Sequence, residues 1–156
     1  MAIKNPPEGY HSLTPYLVVD NSSAAIEFYR KAFGAEELFR FESDGRVGHA
    51  EIRIGDSHLM LSDEWPDMGY RSAKNIGSTP VSLMLYVDDV DTVYQRAIAA
   101  GATERSPVED QFYGDRSGNL TDPFGHQWTI GTHKEDVPAD EMQRRFNDMM
   151  KDMAQA

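Results

Sequence analysis

Apolar and polar residues alternate or recur along this chain in a way that predicts most of its elements. Residues 13–19 (LTPYLVV) are β-branched and aromatic and read as a strand. Asp20, Asn21 and Ser22 follow as turn and N-cap candidates, and Ile26, Tyr29 and Phe33 then recur at helical spacing over 23–33, with Gly34 as the stop. Residues 38–42 read as a strand and Ser43-Asp44-Gly45 as a turn. Over 49–61 the period is two. Ala50, Ile52 and Ile54 alternate with His49, Glu51 and Arg53; beyond Gly55-Asp56, Leu59 and Leu61 alternate with His58, Met60 and Ser62. A two-residue Gly-Asp loop pairs 54 with 57, 52 with 59 and 50 with 61. That register puts Ala50, Ile52, Leu59 and Leu61 on one face and His49, Glu51, Arg53, His58, Met60 and Ser62 on the other.

Residues 65–79 scatter Pro, Asp, Gly, Ser and Asn without a period and read as a linker. The pattern then returns. Residues 81–87 (VSLMLYV) form a strand, Asp88-Asp89 a cap, and 90–100 a helix carrying Val93, Ala97 and Ile98 on one side, stopped by Gly101. A strand and a loop through Phe112-Tyr113-Gly114-Asp115-Arg116 precede a second hairpin, 119–122 and 127–130, around Pro123-Phe124-Gly125. In the tail, Met142, Phe146, Met149 and Met153 make an amphipathic stripe, with Pro138, Asp140 and Glu141 suited to a helix N-terminus.

Two halves match in order and spacing: TPYLVVD over SLMLYVD, Gly34-Ala35 over Gly101-Ala102, and His58–Leu61 over Gln127–Ile130. Each half reads as strand, helix and three strands. The expected fold class is α+β, with two tandem βαβββ modules forming curved mixed sheets around a cavity, plus a C-terminal amphipathic helix. The whole chain, 1–156, reads as one domain: a first module at 11–65, a linker at 66–79, a second module at 80–131 and the helix at 138–154. One sheet face covers its own helix and the other faces a cavity. Leu13, Leu17 and Val19 oppose Thr14, Tyr16 and Val18; Leu83, Leu85 and Val87 oppose Ser82, Met84 and Tyr86; Trp128 and Ile130 oppose Gln127 and Thr129. The cavity-side sets mix polar and aromatic residues, which suits a small-molecule pocket.

Charge and composition narrow the function classes. The chain has 156 residues, a formal net charge of −11 and no Cys. A surface that acidic repels phosphate backbones and anionic membranes, so neither nucleic acid nor a membrane is an expected partner. Without Cys there is no disulfide framework, thiolate zinc site or cysteine nucleophile, which suits a cytoplasmic location. The opening MAIKNPPEGYHS lacks the apolar run of a signal peptide, and no run approaches the roughly 20 apolar residues of a membrane span. Neither a Gly-x-Ser-x-Gly elbow nor a Gly-x-Gly-x-x-Gly fingerprint is present.

The paired modules, with PYLVVDNSSAAIEFYRKAFGAE near the start and LTDPFGHQWTI near the end, resemble the vicinal-oxygen-chelate superfamily of glyoxalase I, extradiol dioxygenases and the fosfomycin- and bleomycin-resistance proteins. The resemblance spans roughly 13–131, and EDQFYGDRSGNLTDPFG (109–125) is similar to a bacterial glyoxalase-like branch. It implies a homodimer and a divalent cation held by His, Gln and Glu from the first and last strands of each module. Carried over, those positions are Thr14, Met60, Ser82 and Thr129. None matches, because a thioether and neutral hydroxyls are poor donors for Mg²⁺, Mn²⁺ or Fe²⁺. The expectation is therefore no metal at the superfamily positions and no cofactor.

His49, Glu51 and His58 share one hairpin face and are the tentative catalytic set, either as a displaced metal site or as acid–base groups. The competing expectation is that Glu51 pairs with Arg53 or a histidine on a wet face. Tyr16, Met60, Met84 and Tyr86 are expected to wall a pocket for a planar ligand, with Arg116 and Gln127 as polar contacts; filling the core is their ordinary alternative. Loop residues Phe112, Tyr113, Asp115 and Arg116 read as a pocket rim, His11 and His133 as solvated, and His126 as part of a structural turn. The leading functional expectation is a metal-independent small-molecule binding protein of glyoxalase/bleomycin-resistance type. The alternative is a lyase or dioxygenase using a displaced metal or acid–base chemistry.

Overall fold

A computed structural model describes residues 2–156. The first half runs β1 (Tyr16–Val19), α1 (Ser22–Phe33), β2 (Glu36–Ser43), β3 (Arg46–Ile54) and β4 (Ser57–Asp63). After a 3-10 turn, Pro66–Met68, and the single-turn α2 (Ala73–Ile76), the order repeats. The second half is β5 (Ser82–Tyr86), α3 (Val90–Ala100), β6 (Thr103–Asp110), β7 (Asp115–Thr121) and β8 (Gln127–His133), followed by α4 (Ala139–Ala154). The sheets have matching orders, β1-β4-β3-β2 and β5-β8-β7-β6, with the first pair in each parallel and the others antiparallel. The α+β class and the tandem βαβββ repeat are as the sequence pattern implies. No helix among the described residues is long and apolar enough to cross a membrane.

Local chemistry explains the boundaries. The Asn21 side chain accepts from Ala24 N at 3.0 Å and Asp89 from Thr92 N at 3.1 Å, so each half starts its long helix with an Asx cap. Gly34 ends α1 at φ 69°, a conformation open to Gly at little cost. The β3–β4 hairpin pairs Ile54 with Ser57, Ile52 with Leu59 and Ala50 with Leu61, the register expected from the alternation. β1 is shorter than expected. Pro15 has no N–H to give the ladder, pairing starts at Tyr16, and Leu13 is 87% exposed rather than on the helix face. β7 is longer than its pattern predicts, taking in Asp115 and Arg116, because the turn-like Tyr113-Gly114 just before them masks the start of the strand.

Both helices lie under the sheets against one shared core. Leu17, Val19, Ala50, Ile52, Leu59 and Leu61 from the first sheet join Leu120, Trp128 and Ile130 from the second. Phe33 packs on Trp128 at 4.8 Å and Tyr29 on Trp128 at 5.5 Å, so α1 of one module seals the sheet of the other. Arg96 on α3 donates to Ala32 O at 2.9 Å, and His126 Nε2 lies 3.1 Å from Val18 O. His126 is thus structural, as its turn implies. With the core on the helix side, the opposite faces stand open. Tyr16, Phe39, Phe41, Met84 and Tyr86 are all exposed there, so the other half of the chain does not cover them.

Candidate functional site

On the open face of the first sheet, strand pairing brings Tyr16 beside Met60 and Met60 beside Glu51. Tyr16 Oη lies 2.9 Å from His49 Nδ1, and His49 Nε2 lies 3.1 Å from Glu51 Oε1. Phe41 stacks on the imidazole at 5.5 Å and Phe39 flanks it at 5.9 Å. Covered by these rings, His49 is pushed below its ordinary imidazole pKa by desolvation. Glu51 takes its partner from His49, whereas Arg53 pairs with Glu36 across to β2. Of the two partners expected for Glu51, the histidine is the one present.

A pocket of about 550 Å³ adjoins this cluster, lined by Tyr16, Gly48, Ser62, Trp65, Met68 and Tyr70. Gly48 sits where the β2–β3 register slips, so no side chain fills the floor there. The rim is built by the turn-rich segment 65–70, whose aperiodic sequence predicts only a linker. Trp65 and Tyr70 exchange backbone hydrogen bonds at 2.8 and 3.0 Å, closing a small loop that presents both rings. Arg46 lies 4.0 Å over the Trp65 ring. Glu64 accepts from Ser72 N at 2.6 Å and from Asn75 Nδ2 at 2.7 Å, and these bonds hold its carboxyl below the usual range. Trp65, Met68 and Tyr70 were missed in the sequence. The available signal was two aromatic residues and a Met inside the turn-rich WPDMGY, too polar a run to count as an element.

The remaining expected residues divide. His58 lies at the far end of the sheet face, where Tyr10 packs edge-on at 4.2 Å and Gly9 closes over the ring. His49, Glu51 and His58 therefore do not converge, and no cluster of three His, Cys, Asp or Glu fit for a metal occurs among the described residues. Met84 lines a separate pocket of about 240 Å³ at the seam between modules, with Thr14, His58, Leu83 and Trp128. Tyr86 donates to Asp115 at 2.8 Å. Gln127 is bonded by Arg105, and Arg116 turns to the helix side, where Asp91 of α3 takes it at 2.8 Å. Because β7 begins at Asp115, its alternation sends Arg116 away from the open face; it joins neither pocket.

A second polar cluster gathers around Asp115. Asp115 is 5% exposed and accepts from Tyr86, while His133 Nδ1 lies 2.7 Å from Asp115 and its Nε2 lies 2.8 Å from Asp136. The Asp115 bond, then the Asp136 bond, raise the His133 pKa above the ordinary imidazole value. His133 is half-exposed, as expected of a solvated residue, and is also anchored at both nitrogens. Hydrogen bonding to Asp115 likewise raises the Tyr86 phenol.

At the four superfamily ligand positions the donors do not fit a divalent cation. Thr129 Oγ1 donates to Asn119 at 2.5 Å, Thr14 Oγ1 sits 3.4 Å from His11 O, Ser82 is exposed, and Met60 offers only sulfur. This set contains no carboxylate or imidazole to balance a desolvated dication.

Two tandem βαβββ modules with open sheet faces and a pocket on one of them define a module-pair protein of the glyoxalase type. The model of the Glyoxalase/Bleomycin resistance protein/Dioxygenase superfamily matches residues 10–130, and the chain belongs to that family. It is 46% identical over 147 residues to an uncharacterized protein of Mycobacterium bovis, covering 92% of this chain and 94% of that one. Protein YjdN of Escherichia coli is 28% identical, covering 79% and 96%. Among solved structures, TioX from Micromonospora sp. ML1 aligns with a TM-score of 0.62 at 24% identity, over 82% of this chain and 100% of its own. FosX from Listeria monocytogenes, a fosfomycin resistance protein seen with Mn(II), aligns with a TM-score of 0.61 at 18% identity, over 85% and 94%. At such identities these two structures establish a shared fold.

Proposed function

We propose that this chain binds a small planar or aromatic molecule on the open face of its first sheet, without a divalent metal at the superfamily positions. The carrying observation is the pocket of about 550 Å³, in which Tyr16, Trp65, Met68 and Tyr70 form the wall while Gly48 and Ser62 leave the floor free. Aromatic and thioether groups give a flat ligand contact area, and a few polar atoms orient it. Here the polar atoms are the Ser62 hydroxyl and the Tyr16 phenol.

The test uses N-phenyl-1-naphthylamine, an uncharged aromatic fluorophore. Binding beside Trp65 transfers excitation from the indole to the probe, and ligand at 100 times its dissociation constant stabilises the protein by about 2.7 kcal/mol. A Cβ on Gly48 would meet Phe41 at 3.7 Å, an ordinary contact. Gly48→Leu therefore starts its side chain without straining the backbone and is expected to weaken probe binding at least tenfold, with far-UV circular dichroism checking that the fold is kept. Probe binding that survives this change and Trp65→Ala would overturn the reading. Elemental analysis of the purified protein tests the other half: stoichiometric Zn, Mn, Fe or Ni that disappears in Thr14→Ala and Met60→Ala would defeat it.

The reading extends to a homodimer acting in the cytoplasm. Family resemblance and the exposed aromatic residues on the sheet faces support the dimer; the lack of Cys supports the location. Sedimentation equilibrium and cell fractionation test the two.

A further inference from the structure

We infer that Tyr16, His49 and Glu51 form a proton relay that makes the Tyr16 phenol a nucleophile toward activated acyl or sulfonyl compounds entering the first-sheet pocket. The geometry has the logic of a nucleophile, a base and an orienting carboxylate. Glu51 at 3.1 Å accepts the Nε2 proton of His49, which leaves Nδ1 as the free lone pair, and Tyr16 Oη stands 2.9 Å from it. Phe39 and Phe41 hold the ring in place from the β2 side. Tyr16 is also a wall of the pocket, and its hydrogen bond to His49 lies at an exposed position beside the space a ligand occupies. Burial keeps His49 in its neutral, proton-accepting form near pH 7.

The step balances without any further reagent. Tyr16 Oη forms a bond to the acyl carbon while its proton passes to His49 Nδ1, and Glu51 steadies the imidazolium. The bond to the leaving group breaks with its electron pair on that group, which takes the proton from His49. A water molecule attacking the resulting O-acyl tyrosine, again deprotonated by His49, releases the acid, and the phenolate recovers the proton. Tyr16 and His49 are the reacting groups; Glu51 is a positioning residue.

Two other exposed tyrosines supply an internal control. Tyr70 is 49% exposed against 46% for Tyr16, and among the described residues no base lies within hydrogen-bond distance of its hydroxyl. Tyr86 is 59% exposed but donates to the Asp115 carboxylate. Benzenesulfonyl fluoride gives a stable aryl sulfonate, so labelling of the full chain can be read at each tyrosine by peptide mass spectrometry. The expected order is Tyr16, then Tyr70, then Tyr86, with Tyr16 at least tenfold ahead of Tyr70. His49→Gln should bring Tyr16 down to the Tyr70 rate, and Glu51→Gln should slow it severalfold, with Tyr70 unchanged in both. Tyr16 labelled no faster than Tyr70, or indifferent to both substitutions, overturns the relay. Should His49→Gln alter the melting temperature or the Tyr70 rate, Glu51→Gln, which keeps shape and reach, decides alone. The inference goes beyond the binding reading and can fail without it: N-phenyl-1-naphthylamine binding that persists while selective Tyr16 labelling is absent would remove the relay and leave the pocket.

Discussion

Asp122 accepts four hydrogen bonds at a buried position: from Tyr29 Oη at 2.6 Å, Trp128 Nε1 at 2.9 Å, and the backbone N–H groups of Phe124 and His126 at 2.9 Å. Burial, then the Asp122 charge, push the Tyr29 phenol well above its ordinary pKa, so it stays a donor. Removing the carboxylate orphans all four donors, each at about 1–3 kcal/mol. Asp122→Ala should therefore lower unfolding free energy by at least about 3 kcal/mol in urea titrations, and Tyr29→Phe by less. The two anchored histidines titrate in opposite senses. His133 has a raised pKa in the folded chain, so its contribution is fully present below the ordinary value of 6.5 and is lost as pH rises through the folded value. His49 has a lowered one, so its contribution is present above 6.5 and is lost as pH falls through the folded value. Melting temperatures from pH 5 to 9 should show His133→Gln flattening the alkaline side of the profile and His49→Gln the acidic side.

At the scale of elements, the loop 65–70 and α4 show how differently two amphipathic pieces can be used. The loop is pinned by the Trp65–Tyr70 backbone pair and by Glu64, and it turns aromatic rings into a pocket wall. Helix α4 buries no residue. It is attached through Phe146 on Phe112 at 5.7 Å and through Arg145, which bonds Phe112 O and Glu135, while Met150 and Met153 stay exposed. The core does not include it, so a chain ending at Pro138 is expected to fold with its melting temperature lowered by no more than about 4 °C, equivalent to about 1 kcal/mol. A larger loss in calorimetry would mean that the helix is part of the folding unit. The strands were legible in part. The β3–β4 hairpin declared its register through strict alternation, whereas β7 hid its first two residues behind the turn-like Tyr113-Gly114, so Arg116, expected in a rim loop, stands in a strand and pairs with Asp91 instead. Gly114, at φ 100°, accepts from both Lys134 N and Glu135 N through its carbonyl, and a Cβ there would collide with Glu135 O. Such a contact lies twenty residues away in the chain and leaves no local pattern.

For the whole molecule, the sequence by itself determined the modules, their helices, the hairpin faces and the lack of charged or imidazole donors at the superfamily metal positions. These follow from residue order, because period, caps and residue type act over a few neighbours. Tertiary structure alone decided which groups meet. It joined Tyr16 to His49 across strands β1, β4 and β3, carried His58 away under Tyr10, and folded a supposed linker back as the rim of the pocket. It also placed both helices in one core and left the opposite sheet faces open, so the residues expected around a single cavity lie in several separate places. Side-chain proximity between distant segments depends on sheet order and on the packing of α1 against the second module, and neither is written in any local stretch of the chain.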